Sequence, residues 1–89
     1  MGKFFYRVND DGMSGDYIHD GDLVLISETQ YVSPNEISAI ASDLDISRIL
    51  LRRVTTDGSV YILVPSNPEY ELESREEILV VGKVIKKVI

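Results

Sequence analysis

At 89 residues the chain is long enough for one small domain, and a domain of that size buries only roughly 60 per cent of its unfolded surface. It has no cysteine, which excludes disulfides and thiolate metal sites. Nine Lys and Arg stand against fifteen Asp and Glu, a net charge of −6. That balance excludes bare nucleic acid as a partner of this segment, because DNA binding requires neutralised phosphates.

In chain order the pattern is mainly β. Phe4 to Val8 is an aromatic and β-branched run that stops at the breaker cluster Asn9-Asp10-Asp11-Gly12. A single helical turn is predicted near Ser14 to Tyr17. Leu23 to Ile26 is wholly apolar, as expected of a strand covered on both faces. A weaker strand, Ile37 to Ala41, follows the Ser33-Pro34-Asn35 turn, and a helical fragment is predicted around Ser42 to Ile46. Arg48 to Val54 and Ser59 to Val64 flank Asp57-Gly58, the strongest hairpin signal in the chain. Pro65-Ser66-Asn67-Pro68 forces a loop, since neither proline can donate to a ladder. Ile78 to Ile89 reads as a full strand, with Gly82 marking a bulge or a close backbone approach. No apolar run approaches the ~20 residues of a membrane span. Met1-Gly2-Lys3-Phe4 lacks the apolar core of a signal peptide. No membrane partner is therefore expected, and a cytoplasmic location fits the missing cysteines.

The acidic turn fails as a calcium loop. Laid on Asp16, an EF-hand puts Ile18 at the third position and Ser27 at the twelfth, where oxygen ligands are required. Asp20-Gly21-Asp22 reads instead as a tight turn with Gly21 at positive φ. His19, the single histidine, reads as a solvated turn residue, and Ser14 as a turn or cap residue. No metal or cofactor is expected.

Two segments carry more. Val8-Asn9-Asp10-Asp11-Gly12-Met13, followed by Ile18-His19-Asp20-Gly21-Asp22, resembles the nucleophile segment of the LexA and lambda-repressor family of self-cleaving regulators. That family writes it Val-x-Gly-x-Ser-Met, then Ile-x-Asp-Gly-Asp. Ile49-Leu50-Leu51-Arg52-Arg53-Val54 resembles its lysine strand, Val-x-Val-Lys-Arg-Val. Leu63-Val64-Pro65-Ser66-Asn67-Pro68-Glu69-Tyr70 is similar to its Leu-x-Pro-x-Asn-x-x-Tyr/Phe signature, and Val81-Gly82-Lys83-Val84 to its closing Gly-x-Val strand. The similarity runs from about Phe4 to Val88.

The resemblance implies curled antiparallel sheets of the signal-peptidase or β-clip type, with at most short helical turns, in a single domain spanning 1–89. It also implies a Ser–Lys dyad, in which a buried neutral lysine deprotonates the serine. Here Gly12 stands at the serine position and Arg52 at the lysine position. An arginine side chain stays protonated at any physiological pH and cannot serve as the base. The expected catalytic set is therefore empty, and the chain is not expected to be an enzyme. Arg52 is expected either against Asp10, Asp11 or Asp16, or reaching out of the cleft that Gly12 leaves open.

By the same resemblance the domain dimerises a LexA-like or phage-type transcriptional repressor. DNA would be met only through an N-terminal helix-turn-helix, and neither that element nor a cleavable linker is read in these residues. The alternatives are an autopeptidase using Ser14, an active parent with its dyad mutated, or a stand-alone interaction module. A homodimer is expected through the C-terminal strand, with Val84, Ile85, Lys86, Val88 and Ile89 at the contact; an antirepressor or co-regulator is a further possible partner. The competing reading is a monomer whose edge is guarded by Lys86 and Lys87.

Overall fold

The computed structural model describes residues 2–42 and 45–89. Its strands are β1 (Lys3–Arg7), β2 (Leu23–Glu28), β3 (Ser38–Ser42), β4 (Asp45–Thr56), β5 (Tyr61–Val64), β6 (Glu73–Arg75) and β7 (Val80–Lys87), with a 3-10 turn at Ser14–Asp16. All seven join one antiparallel sheet in the order β1-β2-β7-β3-β4-β5-β6. The fold is mainly β, as the sequence predicts. The helical fragment expected around Ser42 to Ile46 is not borne out: Ser42 ends β3 and Asp45 and Ile46 begin β4, because the chain here continues the pairing of those two strands, while residues 43 and 44 lie outside those described.

The sheet curls. β4 pairs through Ile49 to Arg52 with β3 and through Arg53 to Thr56 with β5, so the sheet steps sideways along one long strand. β1 lies four places from β4 in the strand order. Even so, the Tyr6 hydroxyl donates to the Ile49 carbonyl at 2.8 Å. The curl thus lays the end of β1 against the middle of β4. Val8, Met13, Ile18, Val24, Ile26, Ile37, Ala39 and Leu51 fill the enclosed core, with Phe4, Tyr6 and Val84 packed on it.

Two further expectations are corrected. β2 is not covered on both faces: Val24 and Ile26 are buried while Leu23 and Leu25 are only half-buried on the other face. An unbroken apolar run does not reveal which side lacks a covering layer. The strand buried on both faces is instead β3, where Ser38, Ala39, Ile40 and Ala41 are all enclosed between β7 and β4. Its small side chains make that tight flanking possible.

The C-terminal strand is not an edge. β7 runs between β2 and β3, and Val84, with its amide bonded to the Ile37 carbonyl, belongs to the core wall. Beyond Val84 the β3 side of the strand has no partner among the described residues. There Ile85, Val88 and Ile89 are exposed. A short edge strand, β6, escapes sequence reading because Glu73-Ser74-Arg75 carries no β signal.

Other punctuation behaves as expected. The Asp57-Gly58 hairpin joins β4 to β5, with Gly58 at φ 97° and Gly21 at φ 91° in its own turn. Asp57 Oδ1 accepts the amides of Ser59 and Val60, which pull its carboxyl down to about 2. Gly82 is a close-approach glycine. A Cβ there would meet the Ser27 carbonyl oxygen at 2.5 Å and Ile26 Cγ2 at 2.6 Å. Neither neighbour can withdraw, because both belong to β2. Gly82→Ala is expected to destabilise the fold by about 1–3 kcal/mol, the usual cost of overpacking, read as a lower urea midpoint at unchanged slope.

Candidate functional site

The breaker cluster after β1 turns the chain back over β4 and sets Gly12 on top of Arg52. An ideal Cβ on Gly12 would overlap the guanidinium, meeting Nη1, Cζ and Nη2, the last at 2.6 Å. The Arg52 head therefore occupies the volume that a side chain at position 12 would fill. Arg52 is only 7% exposed, so its charge depends on protein partners. It has three. Nη1 donates to the Leu51 carbonyl at 2.7 Å and Nη2 to Asp10 Oδ2 at 3.2 Å. The guanidinium carbon also lies 5.3 Å from the centre of the Tyr70 ring, within cation–π range.

Asp10 ties the pair together, since its other oxygen accepts the Gly12 amide at 3.0 Å. Of the three carboxylates expected near Arg52, Asp10 is the one that binds it. Asp11 Oδ1 instead accepts the Asp20 amide, and Asp16 holds Arg53. The Asp16–Arg53 contact is two-pronged, at 2.6 and 2.9 Å, and Arg53 Nε also reaches the Asn35 carbonyl. Hydrogen bonds from Arg53 hold the Asp16 carboxyl below the ordinary aspartate range, against a partial opposing effect of burial.

The loop Pro65 to Pro68 closes the site from above. Amides of Ser66 and Asn67 both donate to the Gly12 carbonyl, at 2.9 and 3.0 Å. Asn67 Nδ2 reaches the Asp11 carbonyl, and the Tyr70 hydroxyl accepts the Asp11 amide. Gly15 lets the loop approach this closely, because a Cβ there would meet Ser66 Cβ at 2.9 Å. No role was assigned to Tyr70 from the sequence. The Asn67-to-Tyr70 spacing within the proline signature was the signal that could have placed it.

Other candidates stay apart. Ser14 begins the 3-10 turn through its backbone, and among the described residues its hydroxyl has no bond to a histidine, arginine or carboxylate. His19 is exposed, with Nδ1 3.7 Å from Asp22 Oδ2. Lys83 is held by Glu36, and Lys87 by Asp22 and the Tyr17 carbonyl, so neither approaches Gly12 as a replacement base. Among the described residues no three His, Cys, Asp or Glu side chains converge on a metal position.

The sequence matches the family model described as Peptidase S24-like over residues 2–85. This chain belongs to the Peptidase S24-like family. The family contains both active and inactive members, so membership alone does not supply a reaction. No curated protein matches the chain. The match takes in β1 to β6 whole, β7 as far as Ile85, and both residues of the Gly12–Arg52 contact.

The shared volume makes two substitutions non-additive. Gly12→Ser alone must expel a guanidinium fixed by Asp10, Leu51 and Tyr70, whereas Gly12→Ser with Arg52→Lys removes the overlap. A double-mutant cycle in urea is expected to give a favourable coupling of about 1–3 kcal/mol; additivity would mean the two positions do not share space. A second outcome concerns acid. The folded-state pKa of Asp16 lies below its ordinary 3.8. Its stabilising effect is therefore complete above that value and is lost as pH falls through the folded value. Asp16→Asn should cost about 1 kcal/mol near pH 7. It should also make the decline in stability below about pH 4 shallower, as followed by urea midpoints across the acid range.

Proposed function

We propose that this domain is a non-catalytic member of the family that dimerises and regulates a LexA-like or phage-type transcriptional repressor. The observation that carries the reading is the Arg52 guanidinium in the space above Gly12. Ser–Lys chemistry requires a hydroxyl at the first position and an amine at the second that can give up its proton. Glycine offers no nucleophile. Arginine offers no base at physiological pH. The two substitutions also fit one another sterically, which supports a settled arrangement in place of a single accidental loss.

Dimerisation finds its support at the end of β7. Past Val84 the strand has a side with no partner among the described residues, flanked by exposed Ile85, Val88 and Ile89. An isologous antiparallel pairing with a second copy satisfies those backbone groups and covers the apolar side chains. The net charge of −6 disfavours DNA contact by this segment and so supports operator binding through a helix-turn-helix of a longer protein, two copies of which a dimer would present to two half-sites.

The test has two arms. At alkaline pH the unaltered chain should keep its intact mass and resist a serine-reactive fluorophosphonate, whereas Gly12→Ser with Arg52→Lys should become labelled. Labelling of the unaltered chain, at Ser14 or elsewhere, would falsify the loss of chemistry. Light scattering should report a dimer of the 10.0 kDa chain at micromolar concentration, and Ile85→Asp should halve the mass. A monomer at every concentration removes the dimerising role.

A further inference from the structure

We propose that the free edge of β1 is a docking site for an extended acidic strand of a partner protein. β1 stands at the end of the sheet and pairs only with β2 among the described strands. Among the described residues its outer amides and carbonyls have no ladder partner. Lys3, Phe5 and Arg7 alternate to one face and are exposed, with Phe5 63% accessible. Phe5 lies opposite Leu25 and Arg7 opposite Leu23, both half-buried, so Phe5 shares the outer face of the sheet with two apolar residues of β2. Arg7 donates from Nη1 to the Gly21 carbonyl at 2.8 Å, which holds the head at the rim, and its other donors have no partner among the described residues.

The pattern cation, aromatic, cation at alternate positions of a strand selects the occupant. A second copy fits badly. Antiparallel pairing centred on Phe5 sets Lys3 opposite Arg7 of the other copy, twice, and parallel pairing sets each cation against itself. Like charges directly across a ladder are destabilising. A lipid surface fits badly as well. Headgroups cannot continue a backbone ladder. A strand reading acid, x, apolar, x, acid matches each feature: its carboxylates meet Lys3 and Arg7, its apolar residue lies on Phe5 and Leu25, and its backbone pairs with β1. The bland reading is that Lys3 and Arg7 merely guard an edge against aggregation. An exposed phenylalanine between two guards works against that purpose. The other sheet edge shows the contrast, since β6 is short and its Arg75 is spent on Glu73 of the same strand.

The site is remote from the choice of catalysis or its loss, and its test is separate. The probe is a fluorescein-labelled peptide, Thr-Glu-Thr-Val-Thr-Glu-Thr, titrated into the full chain with polarisation and amide chemical shifts recorded together. Saturable binding is expected, with shifts and slowed hydrogen exchange confined to β1 and its neighbours. Lys3→Glu and Phe5→Ser should each weaken binding about tenfold, and salt should weaken it further. Replacing both peptide glutamates with lysine should abolish it. Three outcomes overturn the proposal. One is no saturable binding at millimolar peptide, which leaves Lys3 and Arg7 as guards. Another is binding that shifts amides elsewhere or is indifferent to both variants. The last is co-sedimentation with phosphatidylserine vesicles without peptide binding, which makes the surface a lipid site. Shifts in the unaltered chain decide the matter even if a variant folds poorly.

Discussion

A buried guanidinium is the constraint on which the rest of this structure turns. Charge taken from water must be matched by acceptors close at hand, and Arg52 draws them from three separate parts of the chain. Asp10 comes from the turn after β1, the Leu51 carbonyl from β4 itself, and the Tyr70 ring from the segment after β5. Removing one partner of a buried pair typically costs about 3–5 kcal/mol. The figure here is lower, because Asp10 keeps 26% of its side chain in contact with water. The absence of a side chain at residue 12 is what lets the guanidinium sit there at all.

That position exists only because the sheet curls. In a flat sheet the end of β1 and the middle of β4 would lie four strand spacings apart, on the order of 19 Å. The curl removes that separation, and the Tyr6–Ile49 and Asp10–Arg52 contacts fasten it. Small side chains assist from within. Ser38, Ala39 and Ala41 leave room in β3, and Gly82 lets β7 press against the carbonyl of Ser27. The Gly12 carbonyl then receives two amides from the proline loop, so Gly12 serves as a structural junction.

The electrostatics divide the same way. Arg52 and Arg53 are neighbours in sequence, yet alternation sends them to different carboxylates, Asp10 and Asp16. Both ties run between β4 and the segment that follows β1. They brace the region in which an active member of the family would need a free hydroxyl and a neutral amine. Together they fasten the Peptidase S24-like scaffold at that place.

Much was legible in the sequence for local reasons. Positive φ at Gly21 and Gly58, the Asp57 turn, the proline loop and the close approach at Gly82 follow from single residues and their immediate neighbours. The alignment of Gly12 and Arg52 with the family's motifs likewise rests on spacing along the chain. Only the tertiary structure decided where the pieces meet. It chose Asp10 over Asp11 and Asp16 for Arg52, placed β7 inside the sheet, and buried β3 in preference to β2. Sequence periodicity reports which face of a strand is apolar, and says nothing of which strand lies beside it. Strand order and curl arise from packing between residues far apart in the chain, so they become visible only when the sheet has closed.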